Sequence, residues 1–146
     1  MELSPWMVEF IQNYGFLALL LVSFIAATIL PFSSEAALTL GILSGIPIFA
    51  AVTACSIGNC AACSFNYGLG AFFTTPAKIQ KSKSGKKAYD WVKKYGIWSL
   101  LLTWLPIVGD PITIAAGIFR IKLVIYITIV FSLRILRYVA IAYFLR

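Results

Sequence analysis

Leu105-Pro106-Ile107-Val108-Gly109-Asp110-Pro111 sets an aspartate between two prolines in the middle of a strongly apolar region. An earlier stretch, Leu30-Pro31-Phe32-Ser33-Ser34-Glu35, has the same form: Leu-Pro, three residues, then a carboxylate. Glu35 and Asp110 are two of only 5 acidic residues in the chain. A carboxylate at membrane depth is costly and faces a partner or a cavity rather than lipid. This pair therefore needs a reason.

The surroundings set that depth. The 146 residues are 61% hydrophobic, with a mean hydropathy of +0.93 and a net charge of +7. That is too apolar for a soluble domain and long enough for several membrane-depth segments. The chain reads as an all-α, polytopic integral membrane protein. Glu2 and Glu9 precede the first apolar run with no Lys or Arg, so the charged n-region of a signal peptide is missing. The absence of His excludes imidazole catalysis and most catalytic zinc sites. No nucleophile–base set or metal cluster is legible, so we expect no enzyme, no cofactor, no bound metal and no nucleic-acid partner. Cys55, Cys60 and Cys63 fall in one apolar segment and read as buried small hydrophobes.

Outward from the two bends, the apolar arms are short. Residues 16–30 precede the first bend and residues 36–46 follow it; each is below the roughly 20 residues of a full crossing. Two short arms around a Pro-marked polar bend predict a re-entrant hairpin over 16–46, and residues 96–117 predict a second. Irregular backbone at that depth requires burial in protein or a cavity wall. Pro31, Pro106 and Pro111 mark the bends. Residues 48–73 and 118–144 are long enough to span. The first span is rich in small residues that allow close helix packing, and Asn59 sits inside it as packing glue or site lining. Ahead of these, Trp6, Phe10 and Tyr14 suit a short interfacial helix.

Residues 74–94 form a basic loop in which seven lysines stand against Asp90 alone. The positive-inside rule places it in the cytoplasm. Ala88, Trp91 and Tyr95 share a helical face, so Lys86, Lys87, Trp91, Lys93 and Lys94 are expected along the membrane surface, facing anionic head groups.

The two halves resemble each other. Tyr14-Gly15-Phe16-Leu17-Ala18-Leu19-Leu20-Leu21 aligns with Tyr95-Gly96-Ile97-Trp98-Ser99-Leu100-Leu101-Leu102, and the two Leu-Pro bends follow. The domain reading is a single membrane domain of two repeats, 1–73 and 95–146. Each holds one hairpin with no net crossing and one span, so the repeats are inverted and both termini lie outside. Transporters with inverted repeats bind their substrates near the midplane.

Asp110 followed by Pro111 has the form of an N-cap and first helical residue, and Ser33 or Ser34 is placed to cap the arm holding Glu35. Helix starts at depth attract anions, which brings Gly109 into the candidate site. Arg134 and Arg137 share a face of the last span. Arg134 lies about 18 Å along a helix from both Lys122 and Arg146, close to the midplane. Pairing with Glu35 or Asp110 is the obvious way to lower its cost.

At these residues the chain resembles the DedA family, also called the VTT or SNARE-associated Golgi protein family, and most of all its short YqaA-type bacterial branch. The resemblance rests on LP-x3-E at Leu30–Glu35, W-L-P-I-V-G-D at Trp104–Asp110, Ala116-Gly117, and Leu133-Arg134-x-x-Arg137-Tyr138-Val139-Ala140. It implies two opposed re-entrant hairpins in the cytoplasmic membrane. It also implies membrane homeostasis and, for some relatives, translocation of undecaprenyl phosphate or phospholipid, coupled to an ion gradient. Better-studied branches carry arginines around the second Pro bend; here Thr103, Gly109 and Asp110 stand there.

The expected function is a lipid or lipid-phosphate transporter. Its midplane site comprises Glu35, Asp110, Arg134, Arg137, Ser33, Ser34, Asn59 and Gly109, with anionic head groups as partners and proton or sodium coupling. The alternatives are an ion-coupled carrier of a small solute and a non-transporting membrane scaffold. Two hairpins and two spans form a thin bundle, for which a homo-oligomer is expected.

Overall fold

The computed structural model describes residues 5–28, 34–105 and 108–146. The bend prolines Pro31 and Pro106 and the candidate cap Ser33 lie outside the described residues. Among those described, the chain is helical with no strand: α1 (Pro5–Tyr14), α2 (Phe16–Thr28), α3 (Ser34–Leu43), α4 (Ile48–Gly68), α5 (Pro76–Ile79), α6 (Lys83–Tyr95), α7 (Gly109–Ile118) and α8 (Leu123–Phe144). A π-helical stretch, Leu69–Phe73, extends α4, and a 3₁₀ segment, Gly96–Trp104, links α6 towards α7.

Length separates these elements. Ile48–Phe73 runs 26 residues and α8 runs 22, or about 39 and 33 Å at 1.5 Å per residue. Both exceed the roughly 30 Å of bilayer hydrocarbon. The two helices flanking the first bend, α2 and α3, have only 13 and 10 residues, so neither reaches across alone.

The chain forms two compact units, residues 1–62 with 134–146, and residues 63–133. Each unit takes part of both long helices, so the units are not the two halves of the sequence. In the first, Leu19 and Val22 of α2, Leu38 of α3, Ala51, Ala54 and Cys55 of α4 and Tyr138 of α8 form a buried cluster. In the second, Val92, Leu100, Ile112, Ala116, Tyr126 and Val130 do so. All three cysteines are buried thiols outside any disulfide.

Local geometry repeats along the chain. Gly15 and Gly96, each preceded by Tyr, take positive φ of 53° and 58° between two helical segments. Each of α3 and α7 has 10 residues. The shift that carries Ser34 onto Gly109 also carries Glu35 onto Asp110, Gly45 onto Arg120 and Ile48 onto Leu123, without a gap. Both helices end in the same cap. Ile46 N–H bonds to Gly41 O at 3.1 Å and Gly45 N–H to Ile42 O at 3.0 Å, as Ile121 N–H does to Ala116 O at 3.1 Å and Arg120 N–H to Gly117 O at 3.0 Å. These are Schellman caps, which need a left-handed residue. Gly45 supplies it at φ 91°, and Arg120 is the non-glycine that supplies it at φ 49°. A left-handed arginine is strained, so Arg120→Gly is expected to stabilise the protein by about 0.5–1 kcal/mol. A rise in the detergent unfolding midpoint checks this. No rise would mean that the 3.5 Å bond from Arg120 to Ala71 O outweighs the strain.

The basic stretch carries two helices, and the helical face expected for Ala88, Trp91 and Tyr95 lies in α6. Thr75 caps α5, with Pro76 as its first residue, and Ser82 caps α6 by accepting from Gly85 N–H at 3.0 Å. The buried face of α6 is Gly85, Ala88 and Val92, turned towards α7 rather than outward, and Tyr95 is exposed. Of the stripe expected to lie on the membrane, Ala88 is spent on the protein's own core, Trp91 is partly buried against it and Tyr95 is exposed. Lys86, Lys87, Lys93 and Lys94 remain exposed. Lys87 sits 4.7 Å over the Trp91 ring.

Candidate functional site

The first turn of α3 and one face of α8 build the site. Buried residues recur along α8 at Tyr126, Val130, Arg134, Tyr138 and Ala142, with Arg137 beside them. This spacing of four keeps one stripe inward along the helix. It carries two arginines into the interior, with Arg134 only 2% exposed and Arg137 7%.

Arg137 and Tyr138 hold neighbouring residues of α3. The Arg137 guanidinium lies 3.1 Å from Glu35 Oε1. The Tyr138 hydroxyl donates to Ser34 Oγ at 2.7 Å. The guanidinium also lies 5.5 Å from the centre of the Tyr138 ring. Glu35 is the second residue of α3, so its carboxylate sits at the positive end of the helix dipole as well as against a cation. Desolvating two charges is expensive and their attraction only partly returns that cost. Here the Glu35 side chain keeps 27% exposure, so one edge of the pair stays open to exchange.

Asn59 is 1% exposed on α4 and belongs to the same unit as Ser34, Glu35, Arg134 and Arg137. The shift that superimposes the two short helices carries Asn59 onto Arg134. Among Ser34, Glu35, Asn59, Arg134 and Arg137, two guanidiniums stand against one carboxylate. Such a set suits an anion that takes over part of the carboxylate's place.

The expected caps are corrected. Asp110 is not an N-cap: α7 begins at Gly109, and Val108 stands at the cap without a side-chain bond. Its first turn is already closed by Gly109 N–H to Leu105 O and Ile112 N–H to Val108 O, at 3.0 and 3.1 Å. Asp110 is thus the second residue of α7, as Glu35 is of α3. Pro111 is the third, where its missing N–H is one that no helix satisfies internally. Ser34 is likewise the first residue of α3 rather than its cap, and it accepts from Tyr138. Gly109 and Asp110 belong to the second unit.

Tyr138 stands out in the sequence only as part of the Leu133–Ala140 motif. The available signal was a hydroxyl in a spanning helix beside an arginine, since a buried Tyr needs a partner. Two further tyrosines act as pins in the second unit. Tyr126 donates to Cys63 O at 2.7 Å and Tyr67 to Ile121 O at 2.6 Å, with ring centres 4.7 Å apart.

Fold and site together fit a helical membrane protein with buried charge on a helix long and apolar enough to cross a membrane. The VTT domain profile matches residues 30–146. Inner membrane protein YqaA of Escherichia coli is 41% identical over 125 residues, covering 82% of this chain and 83% of that one. An uncharacterized protein of Haemophilus influenzae is 30% identical over 148 residues, covering 96% and 93%. Undecaprenyl phosphate transporter A of Staphylococcus aureus is 42% identical over 50 residues, 34% of this chain and 25% of that one. The chain belongs to the VTT domain, or DedA, family. No solved structure matches it.

Proposed function

We propose that this protein moves a lipid phosphate between the leaflets of a bacterial inner membrane, binding its head group at Arg134 and Arg137. The observation that carries this reading is the placement of two buried arginines on a spanning helix, one of them tied to a carboxylate that keeps partial exposure. Charged groups inside spanning segments mark substrate or ion pathways. The short alignment with an undecaprenyl phosphate transporter supports an isoprenyl phosphate as cargo, and similarity to an inner membrane protein supports the location.

In this mechanism the phosphate displaces Glu35 from Arg137, and the released carboxylate takes a proton or cation that moves with the cargo. Ser34 and Asn59 supply neutral hydrogen bonds. Asp110 is the matching carboxylate of the second repeat. The repeated Tyr-Gly turns, equal short helices and matching Schellman caps support an inverted repeat with two re-entrant hairpins. The basic segment is on the cytoplasmic side, and the protein acts as a homo-oligomer.

Reconstitution tests the proposal. Proteoliposomes carrying labelled isoprenyl phosphate are expected to translocate it well above the protein-free rate, and faster than labelled phosphatidylethanolamine. If folded protein moves neither lipid, the transport reading fails. Competition by a soluble phosphate, with no dependence on the chain, would instead favour a small-solute carrier.

A further inference from the structure

A groove of about 330 Å³ lies within the second unit, lined by α6, the 3₁₀ segment, the turn after α7 and the start of α8. Val92, Ile97, Phe119 and Ile125 supply an apolar wall, Lys93 and Lys122 supply two amines, and no carboxylate is among the lining residues. Both lysines are exposed. The volume is at the lower end for small-ligand sites, which run from roughly 300 to 1,000 Å³.

The chain itself fixes the level of this groove in a bilayer. Lys122 immediately precedes α8, whose 22 residues run about 33 Å, close to the thickness of the hydrocarbon. Lys122 therefore stands where hydrocarbon meets head groups, and Ile125 is one turn inside. Ile97 belongs to an apolar 3₁₀ segment, Gly96–Trp104. An apolar wall together with two amines, at that level, has the chemistry of one kind of molecule. Carbons suit the Ile97, Phe119 and Ile125 side, and a phosphate suits the two ammonium groups.

We infer that this groove is a binding site for the head-group end of one anionic phospholipid of the surrounding leaflet. It is separate from the arginine site and does not rest on the transport reading, because none of its residues belongs to that site. The lipid would wedge between the end of α6 and the start of α8, joining elements far apart in sequence.

Native mass spectrometry in neutral detergent tests the inference without any transport assay. Wild-type protein is expected to retain one phosphatidylglycerol at roughly tenfold lower lipid concentration than phosphatidylcholine of the same chains. Lys93→Gln/Lys122→Gln should lose that preference, and Lys93→Arg/Lys122→Arg should keep it. Lys78→Gln/Lys81→Gln, an equal loss of exposed charge outside the groove, should leave it unchanged. Equal loss in this control would reduce the effect to a general basic surface and overturn the site. So would a wild type with no preference, or displacement of the lipid by glycerol phosphate at equal concentration.

Discussion

Glu35→Gln is expected to lower lipid-phosphate translocation at least tenfold while the protein stays folded. Glutamine keeps the volume of the side chain, and its carbonyl still accepts from the Arg137 guanidinium 3.1 Å away in the parent. The stability loss should stay near 1–2 kcal/mol, because the Glu35 side chain is partly exposed and the site retains a polar partner. In the proposed mechanism, what the substitution removes is the negative charge that a phosphate displaces and that a proton or cation then neutralises. Arg137→Ala should be worse on both counts, since it leaves a carboxylate facing the interior without its cation; soluble proteins lose about 3–5 kcal/mol in such cases. Translocation rates in proteoliposomes, set beside size-exclusion profiles, separate the two effects. The swap Glu35→Arg/Arg137→Glu should recover the folded fraction without recovering transport. A wild-type rate in Glu35→Gln would leave the pair a structural contact and sink its role in coupling.

Gly70→Val and Gly117→Val should each destroy the folded protein. A Cβ on Gly70 would strike the carbonyl oxygen of Ile114, and one on Gly117 would strike the carbonyl oxygen of Tyr67 and the amide of Ala71. The contacts are paired: Gly70 makes room for the backbone of α7, and Gly117 for the backbone on either side of Gly70, where the π-helical extension of α4 meets α7. Backbone atoms cannot step aside as a side-chain tip can, so the cost is about 3 kcal/mol or more. In lipid, helix association depends on such close packing rather than on hydrophobic burial. Gly68→Ala is the control, because a Cβ there meets nothing within 4 Å. It should be neutral or stabilise by up to about 1 kcal/mol. Monodisperse yield and unfolding midpoint in detergent measure all three. Well-folded Gly117→Val would show that the two elements can separate without loss.

Several features were legible in the residues. The long apolar runs predicted helices over 48–73 and 118–144, and helices cover Ile48–Phe73 and Leu123–Phe144. The i, i+3 spacing of Arg134 and Arg137 put both on one face, and both are buried. The helical face expected within the basic stretch lies in α6, and two capping signals that its lysines obscured, Thr75-Pro76 and Ser82 three residues before Gly85, open the helices there. Asp110 was misread as a cap because Asp-Pro is a strong local signal. The start of α7 was instead set by bonds from Gly109 and Ile112 back to Leu105 and Val108.

The sequence by itself determined which segments are helical enough and apolar enough to live in a membrane, and which charges are too costly to face lipid. It also carries the recurrence of Leu-Pro, three residues and a carboxylate, which sets Glu35 against Asp110. Periodicity and composition are local properties, and local physics reads them directly. Tertiary structure alone decided that Arg137 takes Glu35 while its neighbour Tyr138 takes Ser34, two contacts made across more than a hundred residues. It alone turned α6 inward onto α7 and divided each long helix between two compact units. Those choices depend on which surfaces can approach, and a backbone contact such as Gly70 against Ile114 exists only once the chain has closed upon itself.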